Sequence, residues 1–121
     1  NPVDRARIQN NLAIALSEQG IRTGGPEVAA LLAKAVATYG EALTVRTRED
    51  HPVHWAETQE NMALTEEARA DHDTTADPAP HLRAALAHVE AALEVFDPEH
   101  MPFNHDKATA LRERLRARLA P

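Results

Sequence analysis

Apolar residues recur along this chain with a helical period, and the polar residues fall between them. Ile8, Leu12 and Leu16 lie at i, i+4 and i+8, with Ala13 and Ala15 beside them. Arg7, Asn10, Asn11 and Glu18 take the opposite side, which predicts a first helix near 4–20. Gly20, Gly24 and Gly25 then read as its stop and the turn that follows. Pro26 suits the first turn of a second helix, where a missing N–H costs nothing. Glu27 next to it suits the positive end of the helix dipole. Leu31, Leu32, Ala35, Val36, Tyr39 and Leu43 make an apolar face too wide for a lone surface helix. Gly40 inside that helix costs about 1 kcal/mol against alanine, and close approach of a neighbouring helix is the expected reason for it. Arg46 and Arg48 suit the helix's C-terminal end.

Pro52 restarts the pattern. A third helix is expected over 53–72, with Trp55, Ala56, Met62 and Ala63 buried and a polar second half. The stretch 73–80 reads as a loop, with Asp77 and Pro78 as an N-cap and first-turn pair. A fourth helix over 79–96 carries Leu82, Ala85, Leu86, Val89, Ala92, Leu93 and Phe96. The fifth, over 104–119, has a narrow stripe of Leu111, Leu115 and Leu119 and is otherwise charged. A helix apolar on one side only is what the end cap of a stack requires.

The segment Ala6-Arg7-Ile8-Gln9-Asn10-Asn11-Leu12-Ala13 returns about 50 residues later as Ala56-Glu57-Thr58-Gln59-Glu60-Asn61-Met62-Ala63. Ala35, Ala37, Ala42, Leu43 and Val45 match Ala85, Ala87, Ala92, Leu93 and Val95 at the same offset, and Pro2, Pro52 and Pro102 keep step. One repeat therefore spans 4–50 and a second 53–98, with a capping helix over 103–120. Gln9 and Gln59 should have like surroundings. Small residues at Ala13, Ala42, Ala63 and Ala92 should let helix axes approach. Asn1-Pro2-Val3 reads like His51-Pro52-Val53, so the chain is expected to begin inside a repeat junction, as a piece of a larger protein.

Composition narrows the function classes. With 121 residues the chain is long enough for one domain with a real core. It has no Cys, which excludes disulfides and thiolate-bound metal. A net charge of −6 and 3% aromatic residues argue against nucleic acid, anionic lipid and base stacking. No apolar run reaches spanning length, and a cytoplasmic setting without a signal peptide is expected.

The order Leu12-Ala13, then Ala35, Tyr39, Ala42 and Leu43, resembles the tetratricopeptide repeat. Closer still is the likeness to its long bacterial variety, in Trp55-Ala56-Glu57-Thr58-Gln59-Glu60-Asn61-Met62-Ala63 and the preceding Thr47-Arg48-Glu49. The chain departs from the usual pattern in its longer period, in Ala13 and Ala63 where the family has Gly, and in Thr109-Ala110-Leu111 where a third signature would fall. The resemblance implies an all-α, right-handed solenoid of two hairpins plus a C-terminal capping helix. It also implies a non-enzymatic module that binds a partner peptide or domain in a groove lined by the first helix of each repeat.

That groove would be lined by Arg7, Asn10, Asn11, Ile14, Ser17 and Glu18, then Glu57, Glu60, Asn61, Leu64 and Glu67, with Lys107 from the cap. Asn11 and Asn61 would either bond a partner's backbone or bond neighbouring helices. Glu57 and Glu60 stand where a clamp for acidic chain ends would need cations, so a neutral or basic partner is expected. The alternative is self-association, a homodimer or assembly element of a larger signalling protein, through an uncovered Ile8, Leu12 and Leu16.

Candidate chemistry is thin. Seven histidines invite a metal, with His51, His54, His100 and His105 in the turns. No pair has helical ligand spacing, however, and His81 and His88 read as exposed. Ser17 is the only serine and has no nearby His, and Glu66-Glu67 read as a solvated pair. Arg112, Arg114, Arg116 and Arg118 point around the cap helix and read as solvated. No catalytic residue, cofactor or metal is expected.

Overall fold

The computed structural model describes residues 1–73 and 77–121, and among these it contains five helices and no strand. They are α1 (Pro2–Thr23), α2 (Glu27–Leu43), α3 (Pro52–His72), α4 (Ala79–Leu93) and α5 (Pro102–Leu119). Part of the expected 73–80 loop, residues 74–76, lies outside the described residues.

Proline opens α1, α3 and α5 in the same way, occupying the first turn, where no amide donor is needed. The Asn1 side chain caps α1 by accepting from the Val3 amide at 2.9 Å. The Asp77 carboxylate accepts from the Ala79 amide at 3.0 Å at the start of α4. Helix α1 runs further than its apolar stripe predicts, and Gly20 does not end it. Gly24 and Gly25 do, because both adopt positive φ (66° and 73°), which only glycine takes without strain. Gly20 is buried inside the helix, and a Cβ there would lie 3.2 Å from Leu31 Cβ. The glycine is what lets α2 approach. Gly40 does not have the role expected of it, since a Cβ there would meet nothing within 4 Å. Helix α4 stops at Leu93, short of the expected 96, and Phe96 reaches the core from the turn beyond it.

Helices adjacent in sequence pack on one another, and α1 also touches α3. The turn after each hairpin repeats its backbone hydrogen bonds 50 residues on. The Arg46 and Phe96 amides donate to Ala42 and Ala92 carbonyls, both at 3.0 Å. His51 bonds back to Thr47 as Met101 does to Asp97, and Trp55 to His51 as His105 does to Met101. Ala13, Ala42, Ala63 and Ala92 are fully buried, as the close packing of axes requires. Gln9 and Gln59 both cross to the second helix of their own hairpin. Gln9 Nε2 donates to Glu41 Oε2 at 2.9 Å, and Gln59 Oε1 meets His88 Nδ1 at 2.7 Å. The two partners differ by about one helical turn in repeat register.

Two expected core positions on α1 are not core. Ile8 is 61% exposed and Leu12 48%, while Ala6, Ala13, Leu16 and Gly20 make the buried face. The face that packs lies one flank away from the apolar stripe. Helix α2 takes the side that the small residues leave open. Trp55 is half-buried against the second-unit core, with the Arg48 guanidinium 5.5 Å from its ring centroid. Arg48 also pairs with Glu94, tying the inter-hairpin turn to the end of α4.

Candidate interaction groove

Leu64 is the centre of the surface that the first helices of the hairpins make together. It lines two neighbouring depressions. One, of about 190 Å³, is formed by Ile14, Ser17, Glu18, Tyr39, Asn61, Leu64 and Thr65. The other, of about 150 Å³, is formed by Glu60, Leu64, Lys107, Leu111 and Arg114. Helical spacing explains the second wall, because Glu60, Leu64 and Glu67 share one face of α3, opposite Lys107, Leu111 and Arg114 on α5.

Two ion pairs close the ends of that second depression. Lys107 Nζ lies 3.1 Å from Glu60 Oε1. Arg114 donates to both Glu67 oxygens, at 2.7 and 2.8 Å, a two-point fork that holds the guanidinium firmly protonated. The other Glu60 oxygen is sealed and has no hydrogen-bond partner among the described residues. Tyr39 closes the first depression from beneath. Burial pushes the pKa of its hydroxyl up to about 12, partly offset by Thr65.

The expected groove residues divide. Ile14, Ser17, Glu18, Glu60, Asn61, Leu64 and Lys107 meet at these depressions. Asn10 does not line them. Its Oδ1 accepts from the Thr58 hydroxyl at 3.2 Å and ties α1 to α3. Arg7 and Glu57 are exposed outside both depressions, Arg7 at 3.8 Å from Asp4 and Glu57 at 3.6 Å from His54. Asn11 is also exposed outside them. Neither Asn11 nor Asn61 has a side-chain hydrogen bond among the described residues, so Asn10 alone of these amides bonds a neighbouring helix.

Tyr39, Thr65, Leu111 and Arg114 are lining residues that the helical pattern did not point to. Arg114, Arg116 and Arg118 are exposed, as expected, and they also reach back: Arg114 to Glu67, Arg118 to Asp71 at 2.8 Å, and Arg116 to Glu90 at 3.8 Å. Glu66, by contrast, is not solvated. It is buried, 3.0 Å from Arg69 and 3.4 Å from His81 Nδ1. His81 and His88 are correspondingly inside the α3–α4 contact rather than exposed, because α4 turns that face onto the polar half of α3. Burial holds His88 below the usual histidine range, partly offset by Glu66. Among the described residues, no three His, Asp or Glu side chains come together as a metal site would require. No helix is long and apolar enough to cross a membrane.

Fold and site together define an all-α protein with a shallow groove across its first, third and fifth helices. Comparison with protein-family models, with curated proteins and with solved structures returns no match.

Proposed function

We propose that this chain is a non-enzymatic, tetratricopeptide-like module, a right-handed solenoid that binds a partner peptide or domain along the α1–α3–α5 groove. The observation that carries this reading is Leu64, 36% exposed and common to both depressions. An apolar residue held open between two hydrogen-bonding walls is what an extended segment needs for one anchoring side chain. The unpaired Asn11 and Asn61 amides can each supply a donor and an acceptor to a partner's backbone. Glu60 and Glu67 are already neutralised by Lys107 and Arg114, while Glu18 stays open, so a neutral to basic segment suits the surface.

Phage-displayed peptide selection followed by fluorescence polarisation tests it. Enriched peptides should bind the wild type, and Leu64→Lys should weaken them at least tenfold, a loss of about 1.4 kcal/mol. Melting temperature should change little, because Leu64 is at the surface. Peptides that bind Leu64→Lys as well as wild type would refute the groove. Glu60→Lys is the poorer variant, since it would set a second cation against Lys107 in a buried position.

Self-association is the second reading, favoured by the outer flank of α1. Ile8, Leu12 and Ala15 are exposed there, while their repeat mates Thr58, Met62 and Thr65 are 1%, 6% and 2% exposed.

A further inference from the structure

We propose that Arg46 is a carboxylate-binding residue, holding an acidic side chain of a partner on its terminal guanidinium nitrogens. This does not rest on the groove reading, since Arg46 lies in the turn between α2 and α3, outside both depressions.

The argument begins with the repeat. Arg46 and Phe96 are equivalent by sequence offset, and their amides make the same 3.0 Å bonds to Ala42 and Ala92. Phe96 is 2% exposed and part of the second unit's apolar core. Arg46 is 8% exposed. The fold thus buries an arginine at the position where its own second copy buries a phenylalanine. Withdrawing a charge from water is costly unless a partner compensates. Arg46 has no such partner here. Its Nε is sealed without a hydrogen bond, and it belongs to no ion pair among the described residues. The negative end of α2 does not account for it by direct bonding, because no carbonyl accepts from Nε.

The terminal Nη pair is the part left to bind. Neither Nη is sealed, and neither has a hydrogen-bond partner among the described residues. Two parallel N–H groups match the two oxygens of a carboxylate. Arg48 is no competitor, being engaged by Glu94 and the Trp55 ring. Glu49 and Asp50, on the same turn, are exposed and make no ion pair among the described residues. With a net charge of −6, they disfavour a doubly charged phosphate over a single carboxylate.

The test is an NMR titration of the arginine Nε–Hε signals of the full chain with sodium acetate, with sodium chloride at matched ionic strength as control and sodium phosphate as a second arm. The Arg46 signal, assigned by its loss in Arg46→Phe, should shift saturably with acetate, with a Kd on the order of 10 mM, and not with chloride. Arg46→Lys, followed by the backbone amide signal of position 46 in both proteins, should bind acetate roughly tenfold more weakly, since an ammonium cannot offer the fork. Arg46→Phe should melt a few degrees higher than wild type, because it restores the second unit's packing. If Arg46→Phe does not fold, Arg46→Met supplies the assignment and the melting comparison. No saturable acetate shift would overturn the proposal, as would saturation by phosphate alone. A lower melting temperature in the folded variant would also overturn it, by making the guanidinium a structural element of its site.

Discussion

His88 shows how a single side chain takes its chemistry from its neighbour. Its Nδ1 meets Gln59 Oε1 at 2.7 Å, and since the amide oxygen can only accept, Nδ1 carries the proton. Burial then disfavours adding a second proton, so the folded-state pKa lies below the ordinary 6.5. As pH falls below about 6.5, the unfolded chain takes up the proton more readily than the folded one. The stability this neutral histidine contributes is whole above 6.5 and is lost as pH falls through the lowered folded value. Chemical denaturation across pH 5–7.5 should show wild type losing more stability on acidification than His88→Gln. Parallel pH profiles for the two would refute the assignment. The sequence placed His88 on α4 but on the wrong side of it, because two histidines seven apart read equally well as a wet face. What could have corrected this was Gln59, which the repeat marked as a position of consequence.

Helices are where sequence reading served best. All five were legible from periodicity, prolines and glycines, with ends displaced by a few residues in either direction, because α1 runs on past its last apolar contact while the apolar Phe96 packs from the turn after α4. Glycines were harder, since the letter does not say whether the missing Cβ serves a turn or a neighbour. Gly20 and Gly40 separate the two cases. Gly20→Ala should destabilise, because its Cβ would press on the Leu31 Cβ at 3.2 Å and overpacking of about 1–3 kcal/mol outweighs the helix-propensity gain of about 1 kcal/mol. Gly40→Ala has open space and should stabilise by about 1 kcal/mol through helix propensity. Urea unfolding of both variants checks the pair, and the same sign for both would contradict this packing.

The two ends of the molecule differ. At the C-terminal end, α5 presents Asp106, Ala110, Glu113 and Ala117 outward, and three of its arginines bind back to α3 and α4. At the other end, α1 leaves Ile8 and Leu12 open. If copies associate, they should do so through this flank. Sedimentation of wild type should then show a concentration-dependent dimer that Ile8→Glu/Leu12→Glu abolishes, with helicity unchanged and stability shifted by about 1 kcal/mol or less in the monomer. A wild type that stays monomeric at the highest concentrations would remove that reading.

By itself the sequence determined the class of secondary structure, the repeat and its register, since these follow from local spacing and from a pattern that copies itself. Only the tertiary structure decided which flank of each helix is covered and which carboxylate meets which cation. It also decided that one unit buries Arg46 where the other buries Phe96. A helix has several faces that satisfy the same periodicity. The choice among them depends on neighbours distant in the chain, and small residues such as Ala13 and Gly20 set that choice by how closely they let those neighbours come.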